Sequence, residues 1–344
     1  MGATGAAVRD ARLLERASPM RYLGLSLLSS RLSLTDCQPL LLKIDRCIKD
    51  CKGMRLSYIG RVHIIKSVLM AALSIYWASI FILPKGVIRE IEKRLRAFLW
   101  KGTWTNGYAK VAWRDVCRLA LEGSQGLRDI ATLNRALMSK KLCDVIRCDR
   151  TSIWVEWLYN GRLRDKSVWT ITDNGGSWGW RKLLRLRPLL RSMMDYQIGD
   201  GNSFYLWHDP WHHLGLERFP QGPRMLGFQT ADKLSSVIIE RQWHWPLIMD
   251  IECLEILHAL PIIHSGIYRI IWRFETGRPT VASLYRLLDP PGPKVGWYSL
   301  LSGSLKIPRH NFILWLVILG KLSISDKLWL SYLGACILCD EGAM

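Results

Sequence analysis

The chain has 344 residues, 48 of them Lys or Arg and 29 Asp or Glu, which gives a formal charge of +19. Its 49% apolar content excludes a wholly disordered chain, and 27 Gly with 14 Pro exclude collagen-like or low-complexity sequence. So strong a positive balance points to a polyanionic partner, nucleic acid or an anionic membrane surface. Residues 1–150 hold 27 basic and 12 acidic side chains, and residues 151–344 hold 21 and 17. The first part is therefore expected to face the polyanion.

Residues 1–20 read as a lead-in without the apolar core of a signal peptide. Tyr22-Leu23-Gly24-Leu25 reads as a short strand or turn. Asp36 is expected to cap a helix running to about Lys52, with Leu40, Leu41, Ile44 and Ile48 on one face. Ser57 is expected to cap the next helix, which stops at Pro84. Its second half, Ser67 to Leu83, carries no charge over 17 residues. That is the lower limit for a bilayer span, and three Ser, a Tyr and a Trp favour a buried core helix.

A third helix is expected from about Val87 to Trp100, with Val87, Ile88, Ile91, Leu95, Phe98 and Leu99 at the 3.6 period. Arg89, Lys93 and Arg96 share another of its faces, and Arg94 is grouped with them. Gly102 to Gly107 turns. Asp129 caps a helix to about Arg147 that points Leu133, Leu137, Val145 and Ile146 inward.

Short helices follow near 151–159 and 178–191. Ile198 to Ser203 reads as a tight turn between two short strands. Residues 209–235 are rich in Pro and Gly and read as a boundary, Arg269 to Phe274 as a strand, Val281 to Leu288 as a helix, and Pro290 to Pro293 as a linker. Helices are expected near 309–319 and 325–333. The fold class is mainly α with small β-hairpins, and without strand–helix alternation there is no doubly wound sheet.

Chemistry-bearing motifs are sparse. Gly199-Asp200-Gly201 opens no helix and is a turn rather than a phosphate cradle. Asp36, Asp45 and Asp50 pair with nothing catalytic. His208, Asp209, His212 and His213 form a local cluster, but one short loop with an internal Pro seldom supplies metal geometry. Cys336 and Cys339 form a C-x-x-C, half of a zinc site, with no His or Cys in the five residues after it. Zinc is thus conceivable only with half its ligand set missing, and two idle thiols are the plainer reading. Nine Cys at irregular spacing form no disulfide framework and fit a reducing compartment, nucleus or cytoplasm. The better-supported feature is the basic helical surface, above all Arg55, Arg61, Lys66, Arg89, Lys93 and Arg96, which suits phosphate contact. Most of the 17 Trp, such as Trp77, Trp100 and Trp113, sit in apolar patterns and read as core.

Several stretches, taken in order, resemble plant non-LTR (LINE-type) retrotransposon reverse transcriptases. They are Arg21-Tyr22-Leu23-Gly24-Leu25, Gly53 to Arg61 (GMRLSYIGR), Phe98-Leu99-Trp100-Lys101-Gly102, Lys110-Val111-Ala112-Trp113 and Gly126-Leu127-Arg128-Asp129 with Asn134. Ile198-Gly199-Asp200-Gly201 with Trp207 and Asp209-Pro210-Trp211 continues the series, as does Ile307-Pro308-Arg309 with Trp315, Asp326, Cys336 and Cys339. The resemblance implies a basic helical thumb-like domain over 21–150, a connecting region with hairpins over 151–293 and a truncated zinc-binding-like domain over 294–344. In that family the catalytic Asp residues lie in a Tyr/Phe-x-Asp-Asp turn before the Tyr-Leu-Gly motif, and no such turn precedes Tyr22 here. Two-metal phosphoryl transfer needs those carboxylates, so no enzyme activity is expected. The expected function is at most non-specific binding of RNA or DNA backbone, with a separate polymerase palm as a possible partner and no membrane role. The alternative is a relic, or a protein-interaction module without a nucleic-acid role.

Overall fold

The computed structural model describes residues 21–322 except 23–24, 27–29, 52–53, 55, 73–76, 103–108, 165, 173–175, 214, 217–221, 246–254, 256, 266–268, 274–277 and 302–306. A two-residue ladder pairs β1 (Arg21–Tyr22) with β2 (Leu25–Ser26). Helix α1 is Gln38–Asp50, and α2 is Tyr58–Ile64, which continues through a π-type stretch at Ile65–Leu69 into Met70–Ala72. Then come α3 (Lys85–Lys101), α4 (Trp113–Cys117), α5 (Ile130–Ile146), α6 (Ile153–Asn160), α7 (Trp178–Leu184) and α8 (Arg187–Arg191). Short strands follow at β3 (Met194–Gln197), β4 (Ile238–Ile239), β5 (Gln242–Trp243) and β6 (Arg269–Trp272). The last described elements are α9 (Val281–Leu288), α10 (Tyr298–Leu301) and α11 (Pro308–Ile318). The architecture is mainly α with small two-stranded sheets.

The chain divides into two compact units, each assembled from separate stretches. One comprises 33–77, 83–132 and 290–344; the other comprises 1–32, 78–82 and 133–289. We call them the helical unit and the mixed unit. By sequence the helical unit holds 22 basic and 11 acidic side chains and the mixed unit 26 and 18. The positive charge is therefore shared between them more evenly than the linear halves suggest.

In the helical unit, Leu40, Leu41, Ile44 and Ile48 are buried at the expected spacing on α1. Its start differs from expectation. Asp36 does not cap it, because its carboxylate accepts from the backbone N–H and hydroxyl of Ser33 at 2.8 and 2.6 Å. Cys37 stands at the cap position and its side chain makes no capping bond. Ser57 does cap α2, accepting from the N–H of Gly60 at 3.2 Å. On α3, Val87, Ile91, Leu95, Phe98 and Leu99 are buried, and Gly102 ends the helix at φ 75°.

Aromatic side chains join these helices to the C-terminal part. Phe312 of α11 stacks on Tyr58 of α2 at 3.8 Å between centroids, and Trp100 and Trp315 complete the cluster. Trp315 is buried and donates its indole N–H to the carbonyl of Gly123 at 2.7 Å. Val295 donates to the carbonyl of Leu121 at 3.0 Å, and Gly292 donates to the Glu122 carboxylate. The Pro290 to Pro293 stretch is thus tied down where it passes residues 121–123.

In the mixed unit, α5 is buried on most of its circumference. Leu133, Ala136, Met138, Leu142, Cys143, Val145 and Ile146 are all enclosed, whereas Leu137, expected inward, is only half-buried. Asp129 caps α5 as expected, accepting from the N–H of Thr132 at 2.7 Å. Buried Asn134 donates to the carbonyls of Ala78 and Phe81, both at 2.7 Å, which holds residues 78–82 against the unit they join.

The turn at Ile198 to Ser203 does not close a hairpin. β3 pairs antiparallel with β6, from Met194 opposite Trp272 to Gln197 opposite Arg269. The turn packs instead on residues 234–235. Gly201 has φ 74°, and a Cβ there would lie 2.6 Å from the backbone nitrogen of Ser235, so the close approach requires glycine. Within 209–235, Trp211, Leu216 and Leu234 are part of the core.

Candidate nucleic-acid interface

The basic residues singled out by sequence meet different fates. Arg61 is half-buried, and its guanidinium donates to the carbonyls of Leu99 at 2.8 Å and Leu56 at 3.3 Å. Burial lowers its pKa. It secures the C-terminal turn of α3 against α2. Arg94 also leaves the basic group. Its guanidinium bonds to Asp45 of α1 at 2.9 Å and to Glu90 one turn earlier at 2.6 Å, so it ties α3 to α1.

Arg89 and Lys93 are exposed on α3, one turn apart. Lys85, which the sequence reading missed, is exposed one turn before Arg89. The i, i+4, i+8 spacing was its signal, and the three positions span about 12 Å of helix at 1.5 Å per residue. Arg96 lies on the same side but is half-buried, with an enclosed Nε. It sits beside Glu92, whose pKa is raised by burial first and by Asp129 second, with Arg96 opposing. Arg96 is thus partly compensated by local acids, and Lys85, Arg89 and Lys93 form an exposed cationic row on α3.

Lys66 is exposed beyond α2, and desolvation lowers its pKa. Arg46 and Lys49 are exposed on α1. Arg55, Cys336 and Cys339 lie outside the described residues, as does the helix expected near 325–333. Such a surface offers point charges and forked donors on rigid helices with little shape. That suits phosphate groups, which carry charge but no sequence information.

The histidine cluster is structural where it is described. Trp207 and Trp211 are core residues, and His212 is buried, its Nε2 lying 3.0 Å from the carbonyl oxygen of Ala259. The Asp209 carboxylate accepts from the Ser167 hydroxyl and from the N–H of Tyr205, the latter at 2.9 Å. Among the described residues, no three or more His, Cys, Asp or Glu are gathered to hold a metal ion. No helix among them is long and apolar enough to cross a membrane.

No family model matches the chain. It is 27% identical over 294 residues to a protein of Arabidopsis thaliana named provisionally as a ribonuclease H protein. That alignment covers 80% of this chain and 47% of the relative, so the chain spans about half the relative's length. Over 146 residues it is also 27% identical to an uncharacterized mitochondrial protein of the same plant, covering 41% of this chain and 92% of that protein. At this low identity, the likeness to a plant protein named for ribonuclease H supports the retroelement theme of the ordered sequence series.

Proposed function

We propose that this chain is a retroelement-derived segment that binds RNA or DNA backbone without reading sequence. The observation that carries the reading is the exposed row Lys85, Arg89 and Lys93 along α3, on a unit with twice as many basic as acidic residues. Binding proceeds by neutralising phosphates and releasing their counterions, so affinity falls steeply with salt. The relative's name attaches to a protein twice as long, and phosphoryl transfer by two metal ions requires clustered carboxylates. On this reading the chain contributes binding, and any polymerase or nuclease centre is supplied elsewhere. The order of motifs supports a thumb-like role for the helical unit.

The test is direct. The purified chain is titrated into a labelled RNA and a labelled DNA duplex at several salt concentrations. The reading expects binding to both that weakens steeply with salt; no binding at low salt overturns it.

A second reading, a protein-interaction module, rests on α6, where Ile153 is 84% exposed and Trp157 60% exposed one turn apart. It predicts that charge reversal on α3 changes nothing.

A further inference from the structure

The mixed unit contains a cavity of about 340 Å³ between α5, α6 and the segments around Ser167 and Tyr205. Among the described residues, its rim and walls carry four cations, Arg150, Arg164, Lys166 and Lys233, against one carboxylate, Asp209. Four cations gathered on one concave wall favour an anion. The carboxylate is already engaged, since it accepts from the Ser167 hydroxyl and the Tyr205 N–H. Lys233 lies over the Tyr205 ring at 3.0 Å, so its ammonium is held at the wall.

The rest of the lining is aromatic as well as polar. Trp169 and Tyr159 line the cavity, and the polar handle of each is tied to the protein. The Trp169 indole donates to the Tyr196 hydroxyl at 3.0 Å, and the Tyr159 hydroxyl donates to the carbonyl of Val145 at 2.9 Å. Both rings are thereby fixed in place. Asn202 and Ser203 add neutral donors and acceptors. A bare phosphate leaves most of such a volume unfilled and uses none of the aromatic wall. An aromatic heterocycle bearing a phosphate uses both.

We propose that this cavity binds a single unpaired nucleotide, its phosphate at Arg164 and Lys166 and its base against Trp169 and Tyr159. The assignment does not rest on the α3 surface, which lies in the other unit. It adds a site for one splayed-out nucleotide of a single strand, or for a free nucleotide of the same chemistry.

The test uses the full chain and adenosine 5′-monophosphate in equilibrium titration, with inorganic phosphate as competitor. Saturable binding is expected, with phosphate at least tenfold weaker. The doubly substituted Arg164→Glu, Lys166→Glu chain changes two exposed side chains and is expected to bind at least tenfold more weakly. Arg286→Glu, exposed on α9 and not among the residues lining the cavity, is expected to bind as the parent does. Competition by a single-stranded oligonucleotide separates a strand nucleotide from a free one. The proposal is overturned by any of three results: no saturable binding at millimolar concentration, phosphate binding as well as the nucleotide, or undiminished nucleotide binding by the Arg164→Glu, Lys166→Glu chain.

Discussion

Arg61 reaches 38 residues along the chain to donate its guanidinium to the carbonyl oxygen of Leu99 at 2.8 Å, in the last turn of α3. A cation that reads in sequence as a phosphate contact is therefore a fastener between two helices. Its Nε serves Leu56 as well, so one side chain satisfies two carbonyls. Truncation to Ala leaves both without that donor and removes packing, at a cost of about 1–3 kcal/mol. Lys does not restore the forked geometry. Urea unfolding is expected to show Arg61→Ala and Arg61→Lys both destabilised. Their salt dependence of RNA binding should match the parent's, and a reduced slope would return Arg61 to the binding surface.

Gly123 and Trp315 form the second linkage of the helical unit. Gly123 has φ 80°, and a Cβ there would lie 2.1 Å from the Trp297 ring. Gly123→Ala combines backbone strain with a clash against a rigid ring and is expected to lower stability by about 2 kcal/mol or more. Trp315→Phe keeps most of the buried area but leaves the Gly123 carbonyl without its indole donor, at a cost of about 1 kcal/mol. Denaturant midpoints check both. A neutral Gly123→Ala would mean that Trp297 does not pack there.

Asp209 provides a pH signature. Burial pushes its pKa from 3.8 up to about 6, against the lowering effects of the Ser167 hydroxyl, the Tyr205 N–H, Lys233 and Arg191. The folded chain thus holds this proton more tightly than the unfolded chain does. Stability from this group is present below the unfolded value and is lost as pH rises from about 4 through about 6. Asp209→Asn carries no such proton. Its amide can donate to the Ser167 oxygen while its carbonyl accepts from Tyr205. The parent is expected to lose stability relative to Asp209→Asn between pH 5 and pH 7.5, by about 1–1.5 kcal/mol. Parallel unfolding curves at the two pH values measure it, and an unchanged difference between the two proteins would contradict a raised pKa.

Local patterns in the sequence were legible where neighbours on one helix decide the outcome. Leu40, Leu41, Ile44 and Ile48 fall on one face because 3.6-residue periodicity needs no distant information, and Ser57 caps because its hydroxyl reaches Gly60 within the same turn. Asp36 failed as a cap because Ser33 competed for its carboxylate at equally short range. The partner of β3 was not legible, since Met194 faces Trp272 across 78 residues and no two-residue turn announces such a pairing. The candidate surface suffered in the same way. Arg61, Arg94 and Arg89 are alike as isolated cations; Glu90 at i−4 was a local signal for Arg94, but Leu99 and Asp45, brought in by the fold, separate the fasteners from the exposed cation.

The central claim is that Lys85, Arg89 and Lys93 neutralise phosphates. The decisive measurement is the slope of log affinity for a labelled RNA against log salt concentration, for the parent and for Arg89→Glu with Lys93→Glu. Each phosphate contact contributes about 0.7–0.9 to the slope. The account predicts a steep slope for the parent, reduced by about 1.4–1.8 in the variant, with affinity at least tenfold lower at low salt. Equal slopes and equal affinities in the two proteins would contradict it.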